Sequence, residues 1–452
     1  MKIDVLVAEI GSTTTVINAF TDIGTPRPRF VGQGQAPTSV LEGDVTVGLK
    51  GAIDDLKKGI KTDEIEYGEM LATSSAAGGL RMTVHGLVYD MTVRAAKEAA
   101  LGAGGIIKMV TAGKLRRMDL KKIIDINPNI ILIAGGVDYG ERETALHNLE
   151  LIVSSKLNIP IIYAGNIEND EEIALICEEA GIKLYIVENV YPRIDFLNIE
   201  PTRRIIQEVF EEHIIHASGM TTVREMVNGP IIPTPGAVME AARLLKESIG
   251  DLVVFDVGGA TTDVHSVTEG SEEVNKMLIS PEPYAKRTVE GDLGVYINLK
   301  HIVEKIGMKE LKDEFKNAEE LINKTHPIPE TEEEKAFVER LTKEAVLTSL
   351  ERHAGRFRYI YGPSGKKTIA EGKDLSSIKY IIGTGGALTR LPNRFEILKN
   401  AAGYGKGLEL YPKKEAKILI DNNYIFASLG VLSKKYPEDA VILMKESIGY
   451  KE

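Results

Sequence analysis

A single cysteine, Cys177, stands in the whole chain. A disulfide framework, a structural zinc site and a cysteine-ligated iron–sulfur cluster all need more thiolates than one such chain supplies. In "EIALICEEAGIKLYIV" the residue falls at a core spacing of an expected helix, so it reads as a small buried hydrophobe. Such sparse cysteine usage fits an intracellular protein. Positive charge is also short: 55 Lys and Arg against 66 Asp and Glu leave a net charge of −11 and a pI near 5.5. That balance disfavours non-specific binding to nucleic acid or to an anionic membrane. No apolar run approaches bilayer length. The opening "MKIDVLVAEIGSTTT" carries one lysine, and Asp4 and Glu9 interrupt its apolar run, so it is a strand and not a signal peptide. These absences lead to the expectation of a cytoplasmic protein with no nucleic-acid or membrane partner.

What is present is a chain of 452 residues, too long for one ordinary core, with a hydrophobic fraction of 43% and a charged fraction of 27%. Its most informative feature is an internal echo. "VLVAEIGSTTTVINAF" (5–20) matches "LVVFDVGGATTDVHSV" (252–267). Glu9 falls on Asp256, Gly11 on Gly258, Ser12 on Gly259, and Thr14 and Thr15 on Thr261 and Thr262. Each copy is an apolar strand, a carboxylate, a small-residue turn, a hydroxyl cluster and a second β-like run, which together make a β-hairpin. One copy opens each half of the chain, so two halves of related fold are expected.

Between the hairpins the pattern is α/β. "GEMLATSSAAGGLRMTV" (68–84) reads as strand, turn, strand, and residues 92–101 suit a short helix. "NIILIAGGVDYGERETALHNLELIVSS" (129–155) and "IPIIYAGNIENDEEIALICEEAG" (159–181) each read as strand, glycine turn and helix, and "KLYIVENV" (183–190) as a further strand. That alternation implies a parallel sheet. The prolines and glycine of "NGPIIPTPGAVMEAARLLKESIG" (228–250) mark a domain boundary. The expected division is 1–235, with an α/β insertion at about 94–190, and 236–452, with a helical subdomain at about 290–355. Within that subdomain Thr331 and Glu334 fit a capping box, and Glu332–Glu334 form the first turn of a solvated helix.

The hairpin tips have the chemistry of a phosphate cradle. Backbone N–H groups in a glycine turn can approach an anion because no Cβ intervenes. Gly11, Gly258 and Gly259 are candidates for this, with hydroxyl donors from Ser12, Thr13, Thr14, Thr261 and Thr262. Glu9 and Asp256, at the strand ends, are placed to hold a magnesium ion through waters. A plain tight turn explains either hairpin alone; two of them, each preceded by a carboxylate, favour a polyphosphate clamp. A third element, "IIGTGGAL", sets Gly383, Gly385 and Gly386 between a strand and a helix, where close backbone approach suits adenine or ribose.

In this order the three motifs resemble those of the actin, Hsp70 and sugar-kinase superfamily. The resemblance implies an α/β fold of two RNase H-like domains around a nucleotide cleft, with ATP and Mg²⁺ as cofactors. Glu9 stands where that superfamily usually has Asp. "SSAAGGLRM" (74–82), "IILIAGGVDYG" (130–140), "IPIIYAGN" (159–166) and "FDVGGATTDV" (255–264) are further similar to the glutamate mutase L-protein family, end to end. Members of that family are encoded beside adenosylcobalamin-dependent mutases and regarded as their reactivating chaperones. The resemblance therefore implies a slow Mg-dependent ATPase whose nucleotide state drives domain motion and so reactivates an adenosylcobalamin-dependent mutase or aminomutase. Glu9, Asp256 and Thr261 would carry the hydrolysis, Asp256 orienting metal and water, with Thr261 or Thr262 on the γ-phosphate.

Weaker candidates keep two readings. His213 and His216 share a helix face without an evident third ligand. Arg81 and Lys97 are cations for charge neutralisation or structural residues. Asp138 and Asn166 follow glycine turns at strand ends, where a second ligand site or simple turn geometry accounts for them equally. A small-molecule kinase of the same fold would need an aspartate base, for which Asp263 is available. The ATP-dependent activator of 2-hydroxyacyl-CoA dehydratases has similar phosphate motifs but needs two cysteines per chain, which excludes it. A non-hydrolysing ATP-binding regulator or filament protein is the remaining alternative. The charged region 290–355 is the expected partner contact.

Overall fold

A computed structural model describes residues 1–11, 14–39, 44–75, 80–214, 220–363 and 365–451, with backbone alone at 213, 214 and 362. It divides into two compact units, Met1–Met239 with Gly430–Asp439, and Glu240–Leu429 with Ala440–Glu452.

The first unit begins with β1 (Lys2–Ile10), β2 (Thr14–Thr21), β3 (Arg29–Pro37) and β4 (Glu66–Ser74). Five strands follow, β5 (Arg81–Gly86), β6 (Ile106–Ala112), β7 (Ile130–Ile133), β8 (Ile161–Tyr163) and β9 (Leu184–Ile186), and then β10 (Ile231–Pro233). Two sheets result. One has the order β10-β4-β1-β2-β3, with β1 to β3 antiparallel and β4 and β10 parallel to β1. In β1 Val5, Leu6, Val7 and Ala8 are all buried, so this strand is covered on both faces. The helix Val45–Gly59 supplies one cover: Asp44 caps it through Thr46 N at 2.8 Å, and Val45, Leu49, Ala52 and Leu56 form its buried stripe.

The second sheet of this unit is parallel throughout, in the order β6-β5-β7-β8-β9. Its strands run from Arg81 to Ile186, so it begins before residue 94. Its own core includes Ile131, Ile133, Ile161, Leu149 and Cys177. Cys177 is buried in the helix Asp170–Ala180, and burial pushes its thiol up to about 11. Residues 68–84 do form two strands, but β4 and β5 belong to different sheets and not to one local motif. Both strands are largely buried, and periodicity alone cannot say which sheet a buried strand joins.

The second unit contains β11 (Leu252–Val257), β12 (Thr262–Val267), β13 (Ala285–Glu290), a separate pair β14 (Arg356–Gly362) and β15 (Gly365–Glu371), then β16 (Tyr380–Thr384) and β17 (Lys417–Ile420). Its main sheet has the order β13-β12-β11-β16-β17. Reversed, that is the order of the first sheet, strand for strand, with the same antiparallel and parallel directions. Each unit therefore carries an RNase H-like sheet of the actin type, and the echo in the sequence is an echo of topology.

Between β13 and β14 lie four helices, Leu299–Ile306, Met308–Glu314, Ala318–Lys324 and Glu332–His353. The last packs Phe337, Leu341 and Ala345 into the core and closes on the sheet through His353, whose ring nitrogens meet Ser266 Oγ at 2.7 Å and Thr288 Oγ1 at 2.9 Å. Its start has the capping box read from sequence. Thr331 Oγ1 accepts from Glu334 N, and Glu334 Oε2 accepts from Thr331 N, each at 3.1 Å. Glu334 also accepts from Glu330 N at 2.7 Å, so this carboxylate belongs to the fold while Glu332 and Glu333 are exposed. Among the described residues no helix is long and apolar enough to cross a membrane.

Loss of the cap should be measurable. Thr331→Ala is expected to cost about 1 kcal/mol and to lower the melting midpoint of the intact chain by about 2 °C, whereas Thr331→Ser retains the wild-type value in calorimetry.

Candidate nucleotide site

The hairpin tip of the second unit shows why so small a set of side chains is needed. Val257 pairs with Thr262, and the turn between them is closed by Gly258 N donating to Thr261 O at 2.9 Å. The carbonyls of the turn all point into the protein. Gly258 O accepts from Val295 N at 3.2 Å, Gly259 O from Tyr296 N at 2.9 Å and Ile297 N at 2.7 Å, and Ala260 O from Asn298 Nδ2 at 2.8 Å. Gly294 makes this approach possible, since a Cβ there would lie 2.3 Å from Ala260 O. With the carbonyls held, no acceptor among the described residues meets the N–H groups of Gly259, Ala260 and Thr261, and all three residues are at least partly exposed. Successive outward amides of this kind form an anion-binding concavity.

The first unit repeats the closure. Ile10 pairs with Thr15, and Gly11 N donates to Thr14 O at 3.0 Å. In both hairpins, then, the N–H of the leading glycine is held inside the turn. This corrects the expectation that Gly11 and Gly258 face a phosphate with their own amides: they set the turn, and the residues after Gly258 present the donors. Thr14 is exposed, and Glu9, largely buried, lies at the register of Val16 and Thr73. Ser12 and Thr13 lie outside the described residues.

Two hydroxyl expectations also change. Thr262 is fully buried and donates to Leu293 O at 2.7 Å, so its proton is not available to a phosphate. Thr261 is partly exposed, but its Oγ1 donates to Asp263 Oδ2 at 3.2 Å, which leaves its oxygen lone pairs and its N–H outward. Asp263 is itself held by Arg287, with Nε to Oδ1 at 2.8 Å and both side chains buried.

Asp256 sits directly opposite Asp263 across the antiparallel pair, on the same face. Burial pushes its carboxyl up to about 7; Asp263 and, more weakly, Asp421 add to the rise, and Arg287 opposes it. Gly385 leaves room for this carboxyl: its φ is +83°, and a Cβ there would lie 2.4 Å from Asp256 Oδ1. The backbone around Asp256 is fixed from the other side too. Its parallel partner Thr384 donates through Oγ1 to Asp421 at 2.9 Å. Asp421 is fully buried and also accepts from Phe426 N at 3.0 Å and Ser447 Oγ at 2.6 Å, capping the helix Phe426–Leu432.

The adenosine motif divides. Gly383 is buried, and a Cβ there would lie 2.5 Å from Leu398 Cδ1, so the close approach it permits is that of the chain's own packing. Gly385 accommodates Asp256. Of the three, Gly386 alone is exposed, and a Cβ added to it would meet nothing within 4 Å.

The remaining candidates belong to the first unit. Asp138 Oδ1 accepts from Asn189 Nδ2 at 2.9 Å and Ile167 N at 3.2 Å, while Asn166 Oδ1 accepts from Tyr139 N at 3.0 Å, so both side chains stitch the strand-end loops of the insertion. Arg81 and Lys97 are half-buried on β5 and the helix Arg94–Gly102. His216 and the His213 side chain lie outside the described residues. Arg287, Asn298, Gly294 and Asp421 were missed by the sequence reading. For Asp421 a signal existed, because "KILID" ends an apolar strand in aspartate just as "LVVFD" does.

Among the described residues no group of three or more His, Cys, Asp or Glu is placed to hold a metal. The oxygen donors present fit a hard cation bound by one carboxylate, waters and phosphate oxygens, which is how magnesium is usually held.

The family described as "MutL protein" matches residues 5–448. The chain is 38% identical over 425 residues to "Protein MutL" of Clostridium tetanomorphum, covering 90% of this chain and 92% of that protein. Among solved structures it is similar to diol dehydratase-reactivating factor in its nucleotide-free form, at 11% identity and a TM-score of 0.39, over 97% of this chain and 100% of that one. It is also similar to a glycerol dehydratase reactivase, at 12% identity and a TM-score of 0.35, over 95% and 99% of the two chains.

A carboxyl held near 7 destabilises the native state once it ionises, so this penalty is absent below the ordinary carboxylate range and grows as pH rises towards about 7. Asp256→Asn is therefore expected to raise the melting midpoint at pH 8 by roughly 2 °C and to change it less at pH 5. Equal midpoints for wild type and variant at both pH values would contradict the placement of Asp256 in a like-charged, desolvated pair.

Proposed function

Since the chain belongs to the MutL protein family, the glutamate mutase L-proteins, we propose that it is an ATP-binding and slowly hydrolysing chaperone. It reactivates an adenosylcobalamin-dependent mutase or aminomutase in the cytoplasm by nucleotide-driven domain motion. The observation that carries the nucleotide part is the turn Gly259–Ala260–Thr261, with its amides outward beside Asp256.

In this reading the three N–H groups hold the phosphate oxygens, as a helix N-terminus or a nest does elsewhere. Magnesium would supply charge neutralisation when bound, with Asp256 as its carboxylate in this unit and Glu9 its counterpart in the first. A carboxyl near 7 ionises readily once a cation is beside it, because an adjacent positive charge favours the charged form. Asp256 then orients a water molecule by accepting its proton in a hydrogen bond. Thr261, positioned through Asp263 and Arg287, fixes the turn against that point. Hydrolysis of this kind rests on positioning more than on a strong base.

The kinase alternative needs a free aspartate base, and Asp263 is engaged by Arg287 and Thr261, which weighs against it. Reactivation further requires that the mutase bind the ATP and ADP states with different affinity.

Calorimetric titration of MgATP into the purified chain tests the nucleotide site. Binding at about micromolar Kd is expected. Gly258→Val should abolish it, because a Cβ at that position already lies 3.3 Å from Thr261 O, the acceptor that closes the turn. Asp256→Asn should keep the fold and lose hydrolysis by at least about a hundredfold. Absence of binding to the folded wild-type chain, both alone and with a candidate mutase present, would refute the nucleotide reading.

A further inference from the structure

The β14–β15 hairpin is uncovered on both faces beyond its root. The root is fixed: Phe357 N donates to Leu408 O at 2.6 Å, Ala370 N to Met277 O at 2.7 Å, and Ile279 N to Ala370 O at 3.0 Å. Phe357 and Ala370 pack there with Val274 and Leu410. Past that point Arg358, Tyr359, Ile360 and Tyr361 are consecutive and all exposed, Tyr361 to 78%. Side chains alternate faces along a strand, so neither face is buried. An isolated two-stranded hairpin is marginal in water, and one that presents large apolar groups on both faces is better stabilised by a surface laid against it.

Its charge says what that surface is. Residues 356–367 hold Arg356, Arg358, Lys366 and Lys367 and no acidic residue, in a chain of net charge −11. Ile360 pairs across the hairpin with Lys367, and Tyr361 with Lys366, so apolar and cationic groups alternate at its end. Arg358 is paired with Glu371 at 2.8 Å, and Lys366 Nζ lies 3.4 Å from the Tyr359 ring centre. Few cations are left for a phosphate backbone, whose binding relies on many such contacts. Aromatic anchors flanked by a small number of cations are instead the composition of a protein interface.

The same chain carries the complement. The helix Asp170–Ala180 has no basic residue, and Glu171, Glu172, Leu175, Glu178 and Glu179 are all exposed, Leu175 to 50%. Their spacing puts them on one helical face, with the apolar residue in the middle of four carboxylates. None of the four pairs with a cation among the described residues. We propose that the β14–β15 hairpin of one copy docks on the outer face of the helix Asp170–Ala180 of a second copy. Ile360 would meet Leu175, and Lys367 and Arg356, on the same face of the hairpin, the glutamates, while Tyr361 and Lys366 flank the contact from the opposite face. The contact is heterologous, joining two different patches.

Sedimentation velocity of the full-length chain without nucleotide tests this, over about 1 to 100 μM, in about 50 mM and about 500 mM salt. Wild type is expected to gain mass with concentration in low salt and to lose that gain in high salt. Lys366→Glu with Lys367→Glu, and separately Glu171→Lys with Glu172→Lys, should each weaken association at least about tenfold. A mixture of the two doubly substituted chains should associate again, because each then meets an opposite charge. All four positions are exposed, and wild-type melting midpoints would show both variants folded. Wild type that stays monomeric throughout overturns the proposal, as does association untouched by either variant. If only the lysine substitutions act, the hairpin docks elsewhere and the helix is not its complement. Loss of binding to a single-stranded oligonucleotide in the lysine variant, with no self-association in wild type, would assign the hairpin to nucleic acid instead.

Discussion

The candidate site depends on where a turn's carbonyls go. A tight turn has N–H and C=O groups on both sides, and which set faces outward decides whether it attracts anions or cations. At 258–261 the carbonyls of Gly258, Gly259 and Ala260 are taken up by Val295, Tyr296, Ile297 and Asn298, all from the segment after β13. The amides of Gly259, Ala260 and Thr261 are left facing out as a consequence. A glycine-rich hairpin without that segment would be a tight turn and nothing more.

The electrostatics behind the turn follow from sheet register. Antiparallel pairing sets Asp256 opposite Asp263, and two carboxylates at that distance cannot both ionise without cost. Arg287, diagonal to Asp263 on β13, offsets one of them. The other is held up near 7 by burial and by its neighbour. Asp421 and Gly385 keep Asp256 in position, one through Thr384 and the helix cap, the other by having no side chain.

The two RNase H-like sheets show how much the residues alone disclosed. Identical alternation of apolar strand, carboxylate, small turn and threonines at 5–20 and 252–267 was readable because a hairpin is a local structure, set by its own turn and strand pattern. The third strand, β13, is local as well. The strands that complete each sheet are not: β4 and β10 in one unit, and β16 and β17 in the other, are joined by long intervening segments. Pattern identified β4 and β16 as strands without saying which sheet they enter, and did not mark β10 and β17. The short segment Gly430–Asp439 belongs to the first unit through contacts such as Tyr436 with Glu69 and Asp439 with Gly24 N. Those contacts span several hundred residues of chain and leave no local pattern.

At the level of the site, the sequence by itself determined which residue types stand at the strand tips: Asp256, the glycines, the threonines, and their counterparts from Glu9 to Thr14. It did so because residue types are read directly from the chain, and small residues with hydroxyls at a strand tip are the pattern that the proposed phosphate cradle would need. Only the tertiary structure decided the division of labour among them. It turned the amides of Gly11 and Gly258 inward, buried the Thr262 hydroxyl against Leu293, gave Gly383 to core packing and Gly385 to Asp256, and brought Arg287 and Asn298 to the turn. The direction of a hydrogen bond depends on what packs behind it, and what packs behind this turn comes from a different part of the chain.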